Sequence, residues 1–158
     1  MTSNFTSLAE LGWQPHFQQQ LSLEEWDEAI PARIIEQYRS EVTVATEAEI
    51  FNISLLSSMP ELVVGDWVLL DREPRCLRLR DRKTCFARKA AGTSLKKLLI
   101  SANVDTAFIV SSMNEEFNLN RIVRFLSLVN ESGAEPVIVL SKSDLSDSPE
   151  IYTAQIQE

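Results

Sequence analysis

Glycine is scarce in this chain. Its 158 residues hold four: Gly12, Gly65, Gly92 and Gly133. No two are five apart and none directly precedes a lysine, so a phosphate-cradling loop of the form G-x-x-x-x-G-K-[ST] has no place among them. Cysteine occurs twice, at Cys76 and Cys85, with neither Cys-x-x-Cys spacing nor a nearby histidine. That excludes an ordinary zinc site, and two free thiols are the expected state in a cytoplasmic protein. The single histidine, His16, has no evident partner for acid–base work and reads as a surface or docking residue. Long apolar runs are missing too. The longest fall far short of the roughly 18 residues a membrane span requires, so no membrane association is expected. The start, MTSNFTSLAELGW, lacks a basic segment followed by an apolar one. No secretory signal is read there, and the cytoplasm is the expected location.

Positive charge is in short supply overall, with 15 basic residues against 23 acidic and a net charge of -8. Its placement is uneven. Residues 72–97 hold ten basic and two acidic residues, a local +8, while residues 1–71 carry -10 and residues 98–158 carry -6. Concentrated positive charge within an acidic chain is the footprint of a polyanion site. Arg75, Arg78, Arg80, Arg82 and Lys83 cluster at one predicted strand and its turn, and Arg88 and Lys89 follow on the next. These seven are the candidate nucleic-acid contacts. The alternative is a solvated strand face carrying arginines outward.

Four regions are expected. Residues 1–30 form a lead segment: Thr6 caps a short helix, SLAEL, that Gly12 ends, and a weakly helical stretch follows. Trp13, Phe17 and Trp26 are its docking anchors. Residues 31–91 read as short β-branched strands, ARIIEQY, EVTVAT, AEIFNISL, GDWVLLD, CLRLR and TCFARK. A turn at Tyr38–Glu41 joins the first two. In CLRLR, alternation puts Leu77 and Leu79 on one face and Arg78 and Arg80 on the other. Short strands at this density fit a small closed barrel of the OB or SH3-like kind. Residues 92–99 read as a linker.

From residue 100 the pattern changes. VDTAFIVSS is a continuous apolar strand, which predicts burial on both faces. Asn118 caps a helix whose apolar positions are Leu119, Ile122, Val123, Leu126 and Val129, and Gly133 stops it. PVIVL is the next strand, so a right-handed parallel βαβ unit is expected, followed by a helix starting near Ser148 and Pro149. Two strands with so few helices cannot cover a doubly wound sheet, so either more chain belongs to the fold or residues 100–158 lean on something else.

PVIVL runs into Ser141-Lys142-Ser143-Asp144. Ligands of open parallel sheets bind beyond the carboxyl ends of strands, where this Lys-x-Asp lies. Guanine presents two donors, its ring N–H and its amino group, and one carboxylate can accept both. Asp144 would therefore prefer guanine to adenine, with the Lys142 stem along the base plane. By composition alone a Lys-x-Asp is expected about 0.2 times in this chain, before a preceding strand is required.

LGWQPHFQQQL (11–21), VVGDWVLLD (63–71), CFARKAAGTS (85–94) and SANVDTAFIVSSMNEEFNLNRIVRFLSLVNESGAEPVIVLSKSDL (101–145) carry a resemblance that covers nearly the whole chain. In this order and spacing they resemble the ribosome small-subunit-dependent GTPase A family, RsgA (also YjeQ). The resemblance implies an N-terminal OB-fold that contacts ribosomal RNA, then a circularly permuted P-loop-type GTPase domain whose base-reading motif precedes the phosphate loop. It implies a late-acting assembly factor of the small (30S) ribosomal subunit, a monomer binding GTP or GDP, with magnesium and a structural zinc in the whole family protein. The family's guanine motif falls on Ser141, Lys142, Ser143 and Asp144. Asn or Thr is usual where this chain has Ser141, a shorter side chain for bracing the loop. The phosphate loop, the magnesium-binding residues and the zinc ligands fall outside these residues. The chain is accordingly expected to be an N-terminal piece, truncated before the phosphate loop, with no catalytic residue, no metal ligand and no GTP hydrolysis of its own. The alternative is a stand-alone OB-type RNA-binding module without nucleotide dependence. Its supply of stacking aromatics, Tyr38, Phe51, Trp67 and Phe86, is thin, and Phe51 and Trp67 read as core.

Overall fold

A computed structural model describes residues 7–71, 76–89 and 97–157. It divides into two compact units, Met1–Asn103 and Val104–Glu158. No helix among the described residues is long and apolar enough to cross a membrane.

The first unit is mostly sheet. β1 (Ile30–Gln37), β2 (Glu41–Ala45), β3 (Ile50–Ser54), β4 (Trp67–Leu70) and β5 (Cys76–Leu79) form one antiparallel sheet in the order β3-β2-β1-β4-β5. The expected turn between β1 and β2 is present, with the Tyr38 N–H donating to the Glu41 carbonyl at 2.8 Å. The expected barrel closure is not: among the described residues the sheet is open, with β3 and β5 at its edges. β6 (Cys85–Lys89) and β7 (Lys97–Ala102) form a separate antiparallel pair. Residues 97–99, read from sequence as linker, are strand here because KLLISA finds hydrogen-bonding partners in CFARK.

Alternation along the five strands splits their side chains between two cores. One holds Ala32, Ile34, Val42, Val44, Ile53, Val68 and Leu70, closed by Leu62. The other centres on Trp67 with Leu11, Phe17 and Ala45. β4 lies between them, so all four of its residues are buried. The lead segment supplies the second core. Residues 7–12 form turns rather than the expected SLAEL helix, and Thr6 lies outside the described residues. Gly12 is left-handed at φ 91°, and helices α1 (Pro15–Gln18) and α2 (Leu23–Glu28) follow. Trp13 meets Trp67 edge-on at 4.8 Å between centroids, and Phe17 lies 5.8 Å from the same ring. Trp13 and Phe17 are therefore the anchors. Trp26 is not, being 51% exposed.

The segment joining β3 to β4 is pinned from both sides. The Gly65 N–H donates to the Ile34 carbonyl at 2.8 Å, and the Ala102 N–H donates to the Val64 carbonyl at 2.9 Å. Gly65 sits at φ 93°, and a Cβ there would lie 1.9 Å from the Ala102 carbonyl oxygen.

The second unit is the expected βαβ. β8 (Thr106–Ser112) and β9 (Glu135–Ser141) pair in parallel, joined by α3 (Leu119–Ser132). The Asn118 side chain caps α3 by accepting from the Arg121 N–H at 3.0 Å, and Gly133 ends it at φ 84°. Ile109, Ile122 and Val129 are buried. The predicted burial of β8 on both faces does not hold: Phe108 and Val110 are 69% and 65% exposed. Alternation directs Ile109 toward the helix-covered face and its two neighbours to the opposite one, which no described element covers. Val123, predicted on the buried stripe of α3, is 51% exposed. A 3₁₀ turn (Ser143–Leu145) and α4 (Pro149–Gln157) follow β9.

Gly65→Ala should cost about 3 kcal/mol or more, since left-handed strain adds to a collision with backbone. Gly133→Ala, where conformation alone is at stake, should cost about 1 kcal/mol. Equal shifts of the urea midpoint for the two variants would remove the close approach as a cause.

Candidate base-binding site and basic surface

In the second unit the two parallel strands end together, Ser112 opposite Ser141. Lys142 then takes a left-handed conformation, φ 59° and ψ 35°, which turns the chain away from the sheet. The Leu145 N–H returns to the Lys142 carbonyl at 3.1 Å, holding residues 143–145 as one tight turn. Lys142, Ser143 and Asp144 are all exposed beyond the strand end. Neither the Lys142 nor the Asp144 side chain takes part in a hydrogen bond or ion pair among the described residues. Both Asp144 oxygens are thus available to a pair of donors spaced as on guanine. Ser141 behaves differently: its hydroxyl donates to the Ser111 carbonyl at 3.3 Å, across to the neighbouring strand.

A hollow of about 400 Å³ opens at the same end, with Met113, Asn114, Leu145, Ser148, Ile151 and Tyr152 among its walls. Asp144 is not one of them. Asn114 escaped the sequence reading. Its Oδ1 accepts from the Ser112 hydroxyl at 2.7 Å and the Glu116 N–H at 3.1 Å, which fixes the turn that ends β8. An Asn two residues past a strand is the local signal that could have found it.

In the first unit the candidate RNA contacts separate into distinct groups. Arg80 is buried, its Nη1 donating to the Gln20 carbonyl at 2.8 Å. Glu25 lies 3.6 Å from its Nη2, an ion pair too long for a hydrogen bond, and Arg80 Nε has no hydrogen-bond partner among the described residues. Burial, and then the neighbouring Arg78 charge, pull this guanidinium below its ordinary value. Arg82 grips Asp66, Nε to Oδ1 at 2.7 Å and Nη2 to Oδ2 at 2.8 Å, and Nη2 also donates to the Glu61 carbonyl. Hydrogen bonding to Asp66 raises Arg82 above its ordinary value. Arg78 is half-exposed and bonds Glu25 at 3.0 Å. Lys83 is exposed and donates to the Gln14 side chain at 3.0 Å. Arg88 is exposed on β6. Arg75 and the side chain of Lys89 lie outside the described residues.

The Leu77 side chain lies outside the described residues. Where its side chains are described, CLRLR alternates as expected: Leu79 packs on the first core, and Arg78 and Arg80 share the other side. That side is roofed by the lead segment. Glu25 is the roof's anchor. One of its oxygens accepts the Ser22 N–H at 2.9 Å, closing a capping box at the start of α2, and the other takes Arg78. The Ser22 backbone N–H, and then the two arginines, hold the Glu25 carboxyl below its ordinary value of 4.5. His16 docks here as well, its Nε2 lying 3.0 Å from the Asp81 carbonyl. No cluster of three metal-binding side chains occurs among the described residues.

Asp66→Ala should destabilise the first unit by about 3–5 kcal/mol, because it strands the Arg82 guanidinium and the Val63 N–H. A double-mutant cycle with Arg82→Ala, read by equilibrium unfolding, should return a coupling of at least about 1 kcal/mol. A coupling near zero would reassign Arg82 to the surface.

Residues 79–158 match the RsgA GTPase family. Over its whole length the chain is 48% identical to Small ribosomal subunit biogenesis GTPase RsgA 2 of Vibrio parahaemolyticus, covering 44% of that protein. It is 37% identical to Small ribosomal subunit biogenesis GTPase RsgA of Mesorhizobium japonicum, with 98% of this chain and 45% of that one aligned. The chain thus spans less than half the length of these curated relatives. Two solved structures share the fold at 21% identity, each over 82% of this chain. They are YloQ, a circularly permuted GTPase (TM-score 0.59, 46% of its chain), and YjeQ from Thermotoga maritima (TM-score 0.61, 47% of its chain). A family match over half the chain shows that this chain belongs to the RsgA GTPase family.

Proposed function

We propose that these residues form the RNA-contacting and base-reading part of a GTPase that assists assembly of the small ribosomal subunit in the cytoplasm. The supporting observation is the combination of similarity along the whole of this chain to part of named small-subunit biogenesis GTPases with a free carboxylate beyond a parallel strand end, at Asp144. Asp144 reads guanine, Lys142 lies along the base, and Ser141 and Ser143 shape the turn. Because Ser141 is bonded to the adjacent strand, loop bracing falls to the left-handed Lys142 backbone. GTP and magnesium bind in the protein as a whole, where residues outside this chain hold the phosphates. The family's structural zinc likewise belongs outside these residues. The whole protein acts as a monomer and needs no membrane.

The first unit serves as an OB-type module, a fold that is a five-stranded and partly open Greek-key barrel. A meander of β1 to β3, with β4 returning on the other side of β1, supports this reading. Its RNA contacts come from Arg75, Arg78, Lys83, Arg88 and Lys89, while Arg80 and Arg82 hold the surface in place from within. Phosphate contacts of this kind weaken steeply with salt. Arg88→Ala should therefore lower affinity for small-subunit RNA and flatten its salt dependence by about one charge. RNA binding that is insensitive to salt would count against the module's role.

The base contact is tested in a chimera of residues 1–158 with the remaining length of the Vibrio relative. Asp144→Asn should shift nucleotide preference from guanine to xanthine. An unchanged preference for GTP would take Asp144 out of that role.

A further inference from the structure

Helix α2 has an inward and an outward side. Leu21, Glu25 and Ala29, spaced by four, are partly buried, and Glu25 is tied to Arg78 and Arg80. The residues between them face solvent. Leu23 is 88% exposed, Trp26 51% and Ile30, just past the helix, 43%. Glu24, Asp27 and Glu28 are exposed beside them. A six-residue helix would not hold its shape alone. This one is held rigid by the Ser22–Glu25 capping box and the Glu25–Arg78 bond. It thereby exposes a tryptophan and a leucine, with Asp27 next to them and Glu24 and Glu28 on the far flank of the same short helix. Trp26 is the half-exposed one of three tryptophans, whose other members, Trp13 and Trp67, pack against each other.

We propose that this outward face of α2 is a docking site for a lysine- and arginine-rich segment of a small-subunit protein. Fixed aromatic and aliphatic anchors with a charged rim are the anatomy of a protein interface, where tryptophan is enriched and rim charges guide approach. The sign of the rim selects the partner. Three carboxylates repel RNA phosphates and attract a basic polypeptide. RNA contact and protein contact then fall on separate surfaces of one unit, the basic strands and the acidic helix. This rests on the reading that the protein engages the small ribosomal subunit.

The test places benzoylphenylalanine at position 26, mixes the chain with purified small ribosomal subunits, and reads co-sedimentation and photo-adducts separately. An adduct to a basic ribosomal protein is expected. Glu24→Lys, Asp27→Lys and Glu28→Lys together should reduce it about tenfold, the combined effect of three exposed pairs, while the chain still co-sediments through its basic surface. Co-sedimentation with an adduct to ribosomal RNA, to a second copy of the chain, or to nothing overturns the docking site and leaves the assembly reading standing. Loss of co-sedimentation overturns both. Circular dichroism of the triple variant separates lost docking from lost folding, and Leu23→Ala, which removes an anchor without changing charge, should lower the adduct yield in the same direction. An adduct that Leu23→Ala leaves unchanged overturns the apolar anchor and with it the proposal.

Discussion

The first unit depends on one buried carboxylate. Asp66 has no solvent exposure, and a buried charge is tolerated only when paired and hydrogen-bonded. Arg82 supplies two parallel bonds and the Val63 N–H a third. Next to it, Asn103 joins the same cluster. Its side chain donates to the Gly65 carbonyl and accepts the Lys83 N–H, while its own backbone stands at φ 56°. The connection entering β4, the connection from β5 to β6 and the end of β7 therefore meet at one point. Gly65 is required there because the Ala102 carbonyl leaves no room for a Cβ. Removing the carboxylate would loosen all of these together.

The same arrangement decides which arginines remain for other work. A polyanion surface needs charges that water can reach; Arg80 is buried, and Arg82 is partly exposed but held by Asp66. Arg80 sits under the lead segment and Arg82 closes on Asp66. The acidic lead segment is thus a structural partner of the basic strand rather than an independent extension. Their opposite charges, far apart in sequence, meet through Glu25 and Arg78. What remains exposed on the basic side is a smaller set, and the outward side of α2 carries the opposite sign.

Much of this was legible in the sequence. The strands fell where β-branched alternation put them, Gly133 ended α3, and the parallel pair followed from strand–helix–strand spacing. Trp67 was read as core and is fully buried. What could not be read was which of two faces a strand leaves to solvent. CLRLR alternates whether its arginines face water or a roof, and VDTAFIVSS is apolar whether one face or both are covered. Trp26 reads as an anchor but is exposed, because an aromatic beside acidic residues has the same local pattern in either setting. Residues 97–99 read as linker because KLLISA declares itself a strand only through its pairing with CFARK.

The sequence by itself determined the local elements, the uneven charge, the Lys-x-Asp turn after β9 and the family. Each rests on interactions between residues close along the chain, or on order and spacing. Among the described residues, tertiary structure alone decided the fate of the arginines, the open rather than closed sheet, the uncovered face of β8 and the outward acidic side of α2. Burial is set by what arrives from elsewhere in the chain. Glu25 reaches Arg78 across 53 residues and Asn103 reaches Gly65 across 38. Contacts at that separation leave no period or motif in the segments that make them.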